Sequence, residues 1–161
     1  MATVVSLESF IGTGYFGPVT LGDRIETVKQ ALGTPSYTFN PEVVVPPLSG
    51  FTYNGYEFVF KHDRLVYFQN DNFDTDHPSL MEFANATFEV DTGYFRADRL
   101  ITRSMAESWL RQEQIAYSEI EYWGRKGRRA SSGVILDFED DLPVSKEKHT
   151  LFALRLAAAD Y

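Results

Sequence analysis

The stretch Phe51-Thr52-Tyr53-Asn54-Gly55-Tyr56-Glu57-Phe58-Val59-Phe60 decides how the chain is read. Aromatic and β-branched residues flank Asn54-Gly55, the dipeptide that favours a type I′ hairpin turn, so two antiparallel strands are expected here. Lys61-His62-Asp63-Arg64 then turns the chain into Leu65-Val66-Tyr67-Phe68-Gln69, a third strand. Upstream, Ile25, Val28 and Leu32 lie on one helical stripe, opened by Asp23 with Glu26 three residues on as a capping box, and closed by Gly33 and Pro35. Residues 17–70 therefore read as a helix followed by three antiparallel strands, with a Pro-rich loop over 36–50 between them.

The second half has the same order. Ser104 and Glu107 form a capping box ahead of Met105, Trp109 and Leu110, and Phe88-Glu89-Val90 is a lead-in strand. Strands are expected at Tyr117–Trp123, Gly133–Phe138 and Leu151–Leu156, the middle one alternating Val134, Leu136 and Phe138 against Ile135 and Asp137. Leu32 and Leu110, Gly55 and Gly133, and Phe60 and Phe138 are each separated by 78 positions, which suggests a tandem duplication. A further short helix is expected over residues 3–11, from Val4, Leu7 and Ile11. The expected fold is α+β: two tandem helix-plus-antiparallel-sheet repeats forming one saddle-shaped unit. Residues 1–78 would hold the N-terminal helix and the first repeat, and residues 79–161 the second.

Composition narrows the function. The 161 residues are 43% hydrophobic and 15% aromatic, enough for a real core, and carry a net charge of −8. Residues 1–80 hold 4 basic and 9 acidic side chains and residues 81–161 hold 11 and 14, so both halves are acidic. That balance disfavours nucleic acid and favours a basic protein partner. The absence of cysteine excludes disulfides, thiolate metal sites and thiol nucleophiles. Neither a signal peptide nor a membrane span is expected, and a cytoplasmic location follows as the expectation.

Motifs with chemical content are few. Gly12-x-Gly14-x-x-Gly17 matches the dinucleotide fingerprint as text but follows a helix rather than a strand, and Pro18 succeeds it, so it reads as a loop. Asp71, Asp74, Asp76 and His77 share one polar loop. Counted from Asp71, Phe73 and Asp76 fall where a calcium loop needs an oxygen donor and a glycine, so a solvated loop is the better account. His62, His77 and His149 are scattered over turns without a nucleophile motif; of the grouped carboxylates Glu119/Glu121 and Glu139/Asp140/Asp141, the first pair lies on one strand face with period two, as on a solvent-facing strand. No catalytic residue, metal or cofactor is expected. Gly124-Arg125-Lys126-Gly127-Arg128-Arg129 reads as a solvated hairpin tip.

The phrase Val19-Thr20-Leu21-Gly22-Asp23 through Leu32-Gly33-Thr34-Pro35 resembles the helix signature of the outer-membrane assembly lipoprotein BamE family (SmpA/OmlA), and Gly55–Phe60 with Leu65–Phe68 stands where that family has its hairpin. The resemblance covers about residues 19–69 and is weak over 88–157, and the chain has no cysteine to accept a lipid. A tandem pair of such units resembles the β-lactamase-inhibitor-protein fold, of the kind seen in bacterial immunity proteins. The resemblance implies a non-enzymatic protein-binding module. The sheet face opposite the core, with Glu57, Tyr67, Gln69, Tyr117, Glu119, Glu121, Trp123, Asp137 and Arg155, is the expected partner-binding surface, because aromatic anchors and charges together suit an interface. The expected function is a cytoplasmic immunity or inhibitor protein, monomeric or homodimeric. It would occlude the basic active site of a cognate bacterial toxin such as a nuclease or another nucleotide-directed effector. A small enzyme or ligand-binding domain with a pocket between the repeats is the alternative.

Overall fold

A computed structural model describes residues 1–39, 48–73, 78–96, 98–122, 124–139 and 150–159. Among them the chain starts with strand β1 (Thr3–Ser6) and helix α1 (Leu7–Thr13), followed by α2 (Ile25–Leu32). Four strands come next: β2 (Tyr37–Phe39), β3 (Leu48–Tyr53), β4 (Tyr56–Lys61) and β5 (Arg64–Asn70). After β6 (Phe88–Asp91) and α3 (Arg103–Gln112), the chain ends in β7 (Tyr117–Tyr122), β8 (Arg125–Ala130), β9 (Ile135–Phe138) and β10 (Leu151–Ala157). Eight strands form one sheet in the order β2-β3-β4-β5-β10-β9-β8-β7, antiparallel at every junction, while β1 and β6 form a separate parallel pair.

This corrects the expected architecture. Of the described residues 44% are extended and 23% helical, and two helix-plus-sheet repeats are not what forms. One sheet runs without a break through the β5–β10 pair, where Gln69 faces Arg155 and Phe68 faces Leu156. A single apolar cluster joins α1, α2 and α3 to strands from both ends of the chain. The landmarks spaced by 78 positions are not structural equivalents. Leu32 is the last residue of α2, whereas Leu110 lies two residues before the end of α3. In the β3–β4 turn Asn54 takes the positive φ (55°) and Gly55 does not, so the turn forms at the expected place but is not type I′; Gly133 has φ 95°.

Local chemistry shifts several boundaries. Thr3–Ser6 is extended rather than helical because it pairs in parallel with Phe88–Asp91, and α1 starts where the Ser6 hydroxyl accepts from the Ser9 N–H (3.2 Å). The Asp23 capping box does not form: its carboxylate accepts from the Thr20 N–H (2.8 Å), and α2 begins without a side-chain cap. At α3 the cap is Thr102, whose Oγ1 accepts from the Met105 N–H (3.2 Å), and Glu107 turns instead to Arg128.

The core is built on rings. Phe16 lies within 4.8–6.2 Å, centroid to centroid, of Phe10, Tyr56, Phe58, Phe68 and Phe88. Such pairs add to the burial of large apolar area. The α-helices supply Phe10, Val28, Leu32, Trp109 and Leu110 to the same cluster, so all three described α-helices cover one face of the sheet. The opposite face carries only a small cluster of Val59, Val66 and Tyr67, flanked by Phe39, Leu48, Ala157 and Ala158.

Candidate functional site

On the face away from the helices lies a cleft of about 610 Å³. Its wall includes Phe39 from β2 and Tyr122 from β7, the two outermost strands of the sheet. Flat, those strands would stand seven inter-strand spacings apart, roughly 34 Å. For both to line one cleft, the sheet must curl toward this face.

Strand alternation sets the floor. Glu57 and Gln69 are directly paired across β4 and β5, Gln69 faces Arg155 across β5 and β10, and Asp137 faces Ala153 across β10 and β9. The Asp137 carboxylate is fully buried. Arg125 grips it with both ends of its fork, Nε to Oδ1 at 3.0 Å and Nη2 to Oδ2 at 2.7 Å, and Arg155 Nε donates to Oδ2 at 3.1 Å. A buried charge is costly unless paired, and here one carboxylate is paired with two guanidiniums. Arg155 is itself only 4% exposed. Its Nη1 donates to the Tyr67 hydroxyl (2.9 Å) and to Gln69 Oε1, the Tyr67 hydroxyl donates to Gln69 Oε1 (2.8 Å), and Gln69 Nε2 donates to Glu57 Oε2.

The chain of donors has a forced direction. Arginine can only donate and a carboxylate can only accept, so the Gln69 oxygen must face Arg155 and its NH₂ must face Glu57. Asp137 thereby fixes, through Arg155 and Gln69, the position of a carboxylate that lines the cleft. Aromatic rings complete the walls: Phe152 lies 5.2 Å from the Arg125 guanidinium, and Tyr122 lies 5.6 Å from that of Arg155.

The nine residues expected at a partner surface divide in two. Glu57, Tyr67, Gln69, Asp137 and Arg155 come together in this one network. Tyr117, Glu119 and Glu121 do not join them, which corrects the expectation that they share the open face. Tyr117 packs against the core cluster and its hydroxyl accepts from Arg111 of α3 (3.0 Å). Glu119 pairs with Arg128 (3.1 Å), which also meets Glu107 of α3 (2.6 Å), and Glu121 shares their side of β7. Trp123 lies outside the described residues, as do Asp74, Asp76 and His77 of the polar loop, His149, and the Asp140/Asp141 pair. Among the described residues no group of three or more histidine, aspartate or glutamate side chains could hold a metal ion.

The basic run is the other correction. It is not a solvated tip but strand β8, with Arg125 turned to Asp137 and Arg128 clamped between Glu107 and Glu119. Sequence reading missed Arg125, Tyr122, Phe152 and Phe39. The alternation of Arg125, Gly127 and Arg129 against Lys126, Arg128 and Ala130 was the available signal for the first. Elsewhere, Tyr56 is buried with its hydroxyl on the Met81 carbonyl (2.5 Å), and burial pushes its phenol and that of Tyr53 above the usual tyrosine range.

Among the described residues no helix is long and apolar enough to cross a membrane. A scan of protein-family models finds no match to this chain, and neither do searches of curated proteins and of solved structures.

Proposed function

We propose that this chain is a cytoplasmic, non-enzymatic inhibitor of the immunity class. It would bind a bacterial toxin on the open face of its sheet and block the toxin's basic active site, that of a nuclease or another nucleotide-directed effector. One observation carries the reading: the three described α-helices cover one face, while the sheet curls around a cleft on the other, where aromatic walls surround a hydrogen-bonded charged floor. Rigid aromatic groups beside fixed charges are the composition of interface hot spots. The acidic balance of the chain would steer a basic partner toward it.

Co-expression with candidate toxins tests it. A stoichiometric complex by size exclusion and protection of cells are expected, and Phe152→Ala or Tyr122→Ala should weaken the complex by roughly tenfold or more. Glu121→Gln, on the helix side, should leave it intact. A complex broken by Glu121→Gln and indifferent to the cleft substitutions would overturn the reading.

The volume of the cleft favours one second reading, since about 610 Å³ falls within the usual range for small-molecule sites. A thermal-shift screen separates the two: a small ligand that binds only the folded chain raises its melting temperature.

A further inference from the structure

We infer that the cleft receives an arginine side chain presented by the partner, with Glu57 and Asp71 as its counter-charges. The inference rests on the open face being the binding surface and goes on to name what enters it.

Charge decides the sign of the occupant. The cleft and its floor hold three carboxylates, Glu57, Asp71 and Asp137, against two guanidiniums, Arg125 and Arg155. Both arginines are committed to Asp137, and Arg155 spends a further nitrogen on Tyr67 and Gln69. An incoming anion would have to compete with a bidentate, fully buried carboxylate for the same donors. A cation has no such competitor. Among the described residues, Glu57 is only partly buried and takes one hydrogen bond, from Gln69, while Asp71 takes one from the Asn72 side-chain amide (3.2 Å). Each carboxylate offers about four acceptor positions, so both keep capacity for a donor fork.

Shape decides the kind of cation. Phe39, Tyr67, Tyr122 and Phe152 line the same space, and Phe152 already lies against two guanidiniums of this chain. A planar, weakly hydrated guanidinium stacks on such rings and bonds a carboxylate with two parallel donors; a compact ammonium does neither as well. Asp137, Arg155 and Gln69 act as positioning residues, holding Glu57 in one place before the partner arrives, so that less ordering is left to occur on binding.

Titration of the labelled chain with tetra-arginine, tetra-lysine and tetra-glutamate peptides at low ionic strength tests this, read by amide NMR. Tetra-arginine is expected to bind and to move the Gln69 side-chain NH₂ resonance. Tetra-lysine should bind more weakly, and tetra-glutamate should not bind. Glu57→Gln and Asp71→Asn should each weaken tetra-arginine about tenfold, the loss expected for one charge-assisted hydrogen bond. The charge-matched single controls Glu113→Gln and Glu121→Gln, outside the cleft, should each change affinity little, and so should the two combined when set beside Glu57→Gln/Asp71→Asn. Preferential binding of tetra-glutamate, equal binding of tetra-lysine, or equal weakening by the control pair would overturn the inference. If a toxin complex is lost in Phe152→Ala yet unchanged in Glu57→Gln/Asp71→Asn, the open-face reading stands and the arginine assignment falls.

Discussion

Replacing Asp137 with asparagine is the sharpest perturbation of the network beneath the cleft. The carboxylate is fully buried and receives three hydrogen bonds, two from Arg125 and one from Arg155. Asparagine keeps the volume but removes the charge, and its NH₂ would face a guanidinium that can only donate. Two cations would then share a site with no counter-charge. Removing one partner of a buried ion pair costs about 3–5 kcal/mol. Arg125 has a side chain 30% exposed and can turn toward water, which places the expectation near the lower end, about 3 kcal/mol. For a chain of this length each kcal/mol lowers Tm by roughly 2–4 °C, so a fall of roughly 6–12 °C is expected. Urea unfolding at neutral pH, with the m-value checked, measures it directly. Asp137→Leu combined with Arg155→Met should be less destabilised than Asp137→Asn alone, since an apolar replacement leaves fewer buried charges uncompensated. A loss under about 1 kcal/mol for Asp137→Asn would refute the reasoning, because it would mean the arginines do not depend on that carboxylate.

Other predictions concern the core and its surroundings. Phe16→Ala, which empties the centre of the ring cluster, should cost about 3–5 kcal/mol in denaturant unfolding. Gly50→Ala would bring a Cβ to 2.7 Å from the Phe58 carbonyl and onto the Phe39 ring. A loss of about 1–3 kcal/mol is expected, with displaced Phe39 resonances at the wall of the cleft. Stability should also fall in alkali. The Tyr53 and Tyr56 phenols are raised above 10.0 in the folded chain, chiefly by burial. Their contribution is therefore complete below pH 10 and is lost above it, as the unfolded chain releases protons that the folded one keeps, by up to about 1.4 kcal/mol per pH unit for each group. Tyr56→Phe should flatten that alkaline limb when unfolding is followed from pH 9 to 11.

Much of the strand pattern was legible, because alternation reports directly on which face is buried. Tyr56, Phe58 and Phe60 do point to the core, and Glu57 stands on the other face with Gln69 and Arg155. What alternation does not carry is the partner of each strand. The apolar frame of β9 held one acid, Asp137, and that of β10 one base, Arg155, but only pairing in the sheet brings them to 3.1 Å. The same limit explains the misplaced side of β7. Tyr117, Glu119 and Glu121 do share a face, yet which one is set by α3, through Arg111 and through Arg128 held by Glu107. Thr3–Ser6 looked helical because its extended state depends on Phe88–Asp91, 85 residues later. Basic composition misled at Arg125–Ala130: a run of cations reads as solvated until its counter-charges arrive from α3, β7 and β9.

The open face as binding surface is tested most directly by hydrogen–deuterium exchange on the purified chain, alone and in complex with a toxin partner identified by co-expression. Added protection is expected in Tyr56–Lys61, Arg64–Asn70 and Leu151–Ala157, the strands that floor the cleft, with Ile25–Leu32 and Arg103–Gln112 unchanged. Protection confined to those two helices, with the cleft strands exchanging as in the free chain, would contradict it.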